Sequence, residues 1–155
     1  MSHARQQIRD QLVVELGALV PTTFQSVHST RLYTFREDQL PALNVYSQGE
    51  ESEAATMGAA LGSAGSNRRN MTRVLLLATE CYLSVTDNID DAMDDLAVPV
   101  ETVVQDTLLN NLVADISLAS TTFEIDSAGE VPVAVITMVW QIIYRTLEGE
   151  PEVAV

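Results

Sequence analysis

Val131-Pro-Val-Ala-Val-Ile-Thr-Met-Val-Trp-Gln-Ile-Ile-Tyr-Arg-Thr146 is built from residue types that fit a pleated, half-buried surface, and it predicts one long strand. The two-residue period of a strand sorts its side chains into faces. Ala134, Ile136, Met138, Trp140, Ile142 and Tyr144 share one face, apolar along its whole length and therefore expected in the core. The other begins apolar at Val133, Val135 and Val139 and turns polar at Gln141 and Arg145. At about 3.4 Å per residue the strand would reach roughly 45 Å, well beyond the usual strand of about five or six residues. Either it bends, or its far end leaves its own domain and pairs elsewhere; a partner subunit is the ordinary cover for a long apolar edge. Gln141, Ile143 and Arg145, on that far end, are the expected subunit contacts.

Upstream, Ile116 to Asp126 reads as a strand, joined to the long one by a hairpin turn at Ser127-Ala-Gly-Glu130. Downstream, residues 147–155 place Glu148, Glu150 and Glu152 around Gly149 and Pro151, which predicts an extended acidic tail. Met71 to Val85 forms a second long alternation, with Leu75, Leu77, Thr79, Cys81 and Leu83 on one face and Val74, Leu76, Ala78, Glu80 and Tyr82 on the other. Cys81 is expected in the core as a small hydrophobe, with no histidine neighbourhood to make it a nucleophile.

Asp87 is the expected cap of a helix whose apolar positions include Ile89, Met93, Leu96, Val100 and Val104. Acidic residues at 90, 91, 94 and 95 suit the positive end of the helix dipole. The rival reading is a divalent cation site at Asp87, Asp91 and Asp95, which share a face but lack the glycine and glutamate of a calcium loop. Pro99 should kink this helix or divide it in two.

At the other end of the chain, Ile8, Leu12, Leu16 and Leu19 recur at helical spacing after Ser2, a candidate N-cap, and Pro21 ends the pattern. Short strands are expected within Val27 to Phe35 and over Ala42 to Ser47. Residues 48–70 then turn to Gly, Ser, Ala, Asn and Glu without apolar period, which predicts a long loop. It reads either as a mobile surface loop or as a segment that becomes ordered against a partner. The charges at its two ends, Glu50, Glu51 and Glu53 at the entry and Arg68, Arg69 and Arg73 at the exit, are the candidate partner contacts.

The elements together predict one α+β domain over residues 1–155, with two main helices packed on one face of a mainly antiparallel sheet of about five strands. The 46% hydrophobic content fits a globular chain, no apolar run approaches the roughly 20 residues of a membrane span, and the lone Cys81 agrees with an intracellular, reducing origin. A net charge of -14, with all eight basic residues arginine, argues against tight phosphate binding. His3 and His28 belong to no metal-ligand spacing, and no P-loop, GxGxxG or GxSxG pattern occurs, so an assembly role is expected in place of catalysis, with no cofactor.

Four segments carry a family resemblance: His3-Ala-Arg-Gln-Gln-Ile-Arg9, Leu40-Pro-Ala-Leu-Asn-Val-Tyr46, Asp90-Asp-Ala-Met-Asp-Asp95 and Tyr144-Arg-Thr-Leu-Glu-Gly-Glu-Pro-Glu152. In this order the chain resembles the phage tail terminator family, the proteins similar to minor tail protein U of siphophages. The resemblance implies a virion protein, made in the host cytoplasm, that forms a hexameric ring at the head-proximal end of the tail. Such a ring caps the tail tube at its set length and meets the head-completion or connector proteins, while genomic DNA passes through without specific binding. Residues 48–70 and Pro99 depart from the family pattern. The alternative of a different class is a monomeric or dimeric adaptor domain that binds a partner through an exposed sheet edge.

Overall fold

The computed structural model describes residues 2–31, 34–55, 68–84, 87–107, 109–127, 129 and 131–155. Two helices, α1 (Ala4–Leu16) and α2 (Ile89–Asp106), lie with six strands: β1 (Ser26–His28), β2 (Ala42–Ala54), β3 (Asn70–Ser84), β4 (Asp115–Asp126), β5 (Val133–Leu147) and β6 (Glu150–Ala154). The strands form one sheet in the order β1-β2-β3-β5-β4, with β6 joined to the end of β5. Only β1 and β2 run parallel; every other pairing is antiparallel. The fold is α+β, as the pattern of elements predicts.

The long strand is the centre of the sheet. β3 pairs with β5 along its full length, from Asn70 opposite Leu147 to Ser84 opposite Val133. On the other edge β4 runs as far as Ile143, and β6 takes over at Thr146. The far end therefore stays within its own domain, because β3 and the β2–β3 hairpin are equally long, and its backbone groups find partners in the chain. What the far end leaves open is side chains on one face, with both edges of the strand paired.

The alternation of β5 is as expected: Ala134, Ile136, Met138, Trp140, Ile142 and Tyr144 are all fully buried. They pack under stripes at helical spacing, Ala4, Ile8, Leu12 and Leu16 from α1 and Met93, Ala97, Val100 and Val104 from α2. Cys81 lies in this core, and burial, with Glu80 beside it, pushes its thiol up to about 12. The indole of Trp140 donates to the Thr79 hydroxyl at 3.0 Å, so its polar atom is satisfied where no water reaches.

Several local expectations are corrected. β2 continues to Ala54, so residues 48–54 of the expected loop are strand; residues 56–67, the rest of its centre, lie outside the described residues. Of the strand expected within Val27 to Phe35, the described residues show Ser26–His28, and residues 32 and 33 lie outside them. His3, not Ser2, caps α1, its Nδ1 accepting from the Arg5 amide at 3.2 Å. Asn88, in the left-handed region, precedes α2 where Asp87 was the expected cap, and makes no side-chain cap bond. α2 runs unbroken through Pro99. Pro99 has no amide to donate to the carbonyl of Asp95, so the helix runs on with one hydrogen bond fewer at an exposed residue. Within the acidic tail, β6 pairs with β5, and the Gln7 side-chain amide donates to the Glu152 carbonyl at 2.8 Å.

Candidate assembly surface

Two bulges decide which charges reach which side of the sheet. Up to Ser47 the odd residues of β2 face the helices; the register then shifts between Ser47 and Gly49, and Glu50 takes a helix-side position opposite Leu75. There its carboxylate receives the Arg73 guanidinium at 2.7 Å and the Tyr144 hydroxyl at 2.5 Å, with Arg5 at 3.7 Å. Arg73 also donates to the Thr146 hydroxyl at 2.9 Å. Burial and the bond to Glu50 raise the pKa of Tyr144 above its usual value. Glu50 and Arg73, expected as partner contacts, are thus engaged with each other inside the subunit.

The remaining residues of that set go elsewhere. Arg68 pairs with Glu150, and Arg69 lies 4.0 Å from Glu148, so both arginines meet the C-terminal segment. Glu51 and Glu53 are exposed and stand opposite Val74 and Thr72 on the face away from the helices.

That second face is the notable surface. No described helix covers it, and its middle carries Val74, Leu76, Ala78, Val139 and Ile143, all apart from Ala78 partly exposed. Gln141, Ile143 and Arg145, the expected subunit contacts, lie on it in one row along β5, and Gln141 borders a cleft of about 410 Å³ with Leu76, Val74 and Glu51. At the other end of the face, Glu80 accepts hydrogen bonds from the Tyr46 and Tyr82 hydroxyls at 2.5 and 2.6 Å. Burial first, then those bonds, raise both phenol pKa values.

The second bulge, between Leu118 and Ser120, turns Glu124 and Asp126 of β4 onto this same face, opposite Val135 and Val133. It also turns Phe123 and Ile125 to the helix side, beyond the reach of α2, where they are 53% and 51% exposed. Neither bulge was readable from the alternation; the only local sign is Gln48-Gly49, a strand interior interrupted by glycine.

Asp87, Asp91 and Asp95, the residues of the rival cation reading, lie at and along the start of α2. All three are exposed, and among the described residues no three His, Cys, Asp or Glu side chains converge as ligands. Among the described residues no helix is long and apolar enough to cross a membrane.

No family model and no curated protein matches the chain. Among solved structures, the chain is similar to one from a "Virion of native gene transfer agent (GTA) particle" at 12% identity and a TM-score of 0.46, covering 93% of this chain and 92% of that one. A second solved chain is similar at 13% identity and a TM-score of 0.43, covering 89% and 92%. Likeness at this level does not place the protein in a family.

Proposed function

We propose that this protein is a structural virion component that forms a ring at the head-proximal end of a phage tail, ends polymerisation of the tail tube and joins it to head-completion proteins. The observation that carries the reading is the helix-free face of the sheet, apolar in its middle and continuous along β5, on a chain whose core is already complete on the other side. A surface of that kind needs a partner, and the four family-like segments quoted above say which kind. Six copies per ring follow from the resemblance. With a net charge of -14, a ring lined by acidic side chains lets DNA pass without adhering. Glu51, Glu53, Arg68 and Arg69 are the candidate contacts to the tube protein, and no group acts as a catalyst.

The outer edge of β4 favours the second reading, an adaptor domain, because it is unpaired among the described residues and open to strand addition. The two readings part when the purified protein is added to polymerising tail-tube protein and the products are viewed by negative-stain electron microscopy. The ring reading expects shorter tubes with a cap at one end only. Tubes of unchanged length without caps would overturn it.

A further inference from the structure

Residues 34–40 fold over one end of the helix-free face and close a cleft of about 310 Å³ against β3, β4 and β5. That is at the small end of ligand pockets, which run from roughly 300 to 1,000 Å³, and it suits one side chain better than a cofactor. Phe35 and Tyr82 wall it, their ring centroids 4.9 Å apart, over a floor of Val133 and Val135. Glu37 and Asp126 line it, Asp126 with an interaction of its own, so Glu37 is the carboxylate offered to an occupant. Aromatic faces beside carboxylates are the surroundings a guanidinium takes, stacked on the ring and hydrogen-bonded at its edge.

The chain already places one guanidinium over a tyrosine of this face. Tyr46 and Tyr82 are twins about the Glu80 carboxylate, each donating to one of its oxygens. Tyr46 is covered by Arg31, whose guanidinium carbon lies 5.2 Å from the ring centre while the group also donates to the Ser47 carbonyl. Tyr82 faces the cleft, and among the described residues no arginine lies over it.

The geometry points to an arginine of a second copy of this chain as the occupant of the cleft, and to Arg145 as that arginine. Six of the eight arginines sit within 4.0 Å of a carboxylate of their own chain, and Arg31 sits on Tyr46. Arg145 is exposed and has no ion pair among the described residues. It is held on the same face as Tyr82 by pairing with Thr72 and by the Val155 amide, which donates to its carbonyl at 2.9 Å. Ten residues of β5 separate Arg145 from Val135, the partner of Tyr82, a span of about 34 Å. Arg145 therefore cannot reach its own cleft. A contact available only between copies, from the arginine end of one to the cleft end of the next, builds a ring when it runs head to tail and the rotation between copies closes, whereas the same contact made reciprocally builds a dimer. The inference rests on the ring reading and names the contact that would build it.

Arg145→Glu and Glu37→Arg test it, each checked for native circular dichroism, with mass measured by light scattering. Each variant alone should stay monomeric where the unaltered chain assembles, its dissociation constant raised roughly 30-fold or more. Mixed in equal amounts they should reassemble, because reversed arginine meets reversed cleft at one junction and native meets native at the next. If Arg145→Glu assembles as well as the unaltered chain, or the mixture stays monomeric, the cleft assignment is overturned while the ring reading stands. Should assembly occur only on tubes, the same samples are scored by caps on tube ends. Independently, N-acetyl-arginine amide titrated into the Arg145→Glu variant should shift the Phe35 and Tyr82 ring resonances, whereas N-acetyl-citrulline amide should not. Equal response to both probes, or none, overturns the cleft chemistry whatever the assembly state. Probe binding together with assembly indifferent to Arg145 overturns the second copy as occupant and gives the cleft to a basic segment of another protein.

Discussion

Glu50 and Glu80 stand in the same sheet, both take short hydrogen bonds from tyrosines, and they differ in where their cations come from. Glu50, on the helix side, has Arg73 and Arg5 of its own chain beside it and closes a network that reaches Thr146. Glu80, on the helix-free side, has two tyrosines, one covered by Arg31 and the other facing an acidic cleft. The helix side is chemically complete within one subunit and carries stability. The helix-free side keeps an apolar middle that no described helix covers, and the proposed ring gives it a neighbour.

The sharpest way to break this division is to attack the covered core. Trp140→Ala should lower the unfolding free energy by about 3 to 5 kcal/mol in urea titration, since it empties a fully buried site and removes the indole donor from the Thr79 hydroxyl, which keeps only its own bond to the Met138 carbonyl; a negligible change would mean the faces are reversed. Glu50→Ala should cost about 2 to 3 kcal/mol, because Arg73 and Tyr144 lose their acceptor in a half-buried place. Glu80→Gln, on the more open side, should cost about 1 kcal/mol, and equality of the two would erase the distinction drawn here. Arg145→Gln should change monomer stability by no more than about 0.5 kcal/mol while abolishing assembly, the opposite profile to Trp140→Ala.

Alkaline pH sharpens the same comparison. Burial raises the folded pKa of Cys81 from 9.0 to about 12, and burial with a carboxylate bond raises those of Tyr82 and Tyr144 above 10.0. The unfolded chain therefore loses these protons first as pH climbs. Their contribution to stability is intact below about pH 9 and falls above it. Tyr144→Phe and Tyr82→Phe should each flatten the decline above pH 10 in melting experiments. Native Cys81 should react with iodoacetamide only as fast as the chain opens.

Much of the fold was legible because β3 and β5 alternate cleanly over a dozen residues and α1 and α2 repeat at helical spacing. Residues 48–54 were not, since Gly49, Glu50, Glu51, Ser52 and Glu53 have poor strand propensity; they form strand because Val74, Leu75 and Leu76 of β3 pair with them. The bulge at Gln48 then exchanges the faces, which is why Glu50 enters the core network and Glu51 does not. β6 was hidden by Pro151, a residue an edge strand tolerates. Of the site, the row Gln141, Ile143 and Arg145 followed from the two-residue period alone. The cleft did not, because it joins residues 34–40, which have no period, to acids that only the β4 bulge turns toward Tyr82.

The most direct test of the division between a finished face and an unfinished one is the mass of the purified protein by light scattering across a range of concentrations. The account predicts a mass that rises from the monomer and stops near six times 16.9 kDa, as a closed ring must. A strict monomer at every concentration, unchanged when tail tubes are added, would contradict it, as would growth without limit.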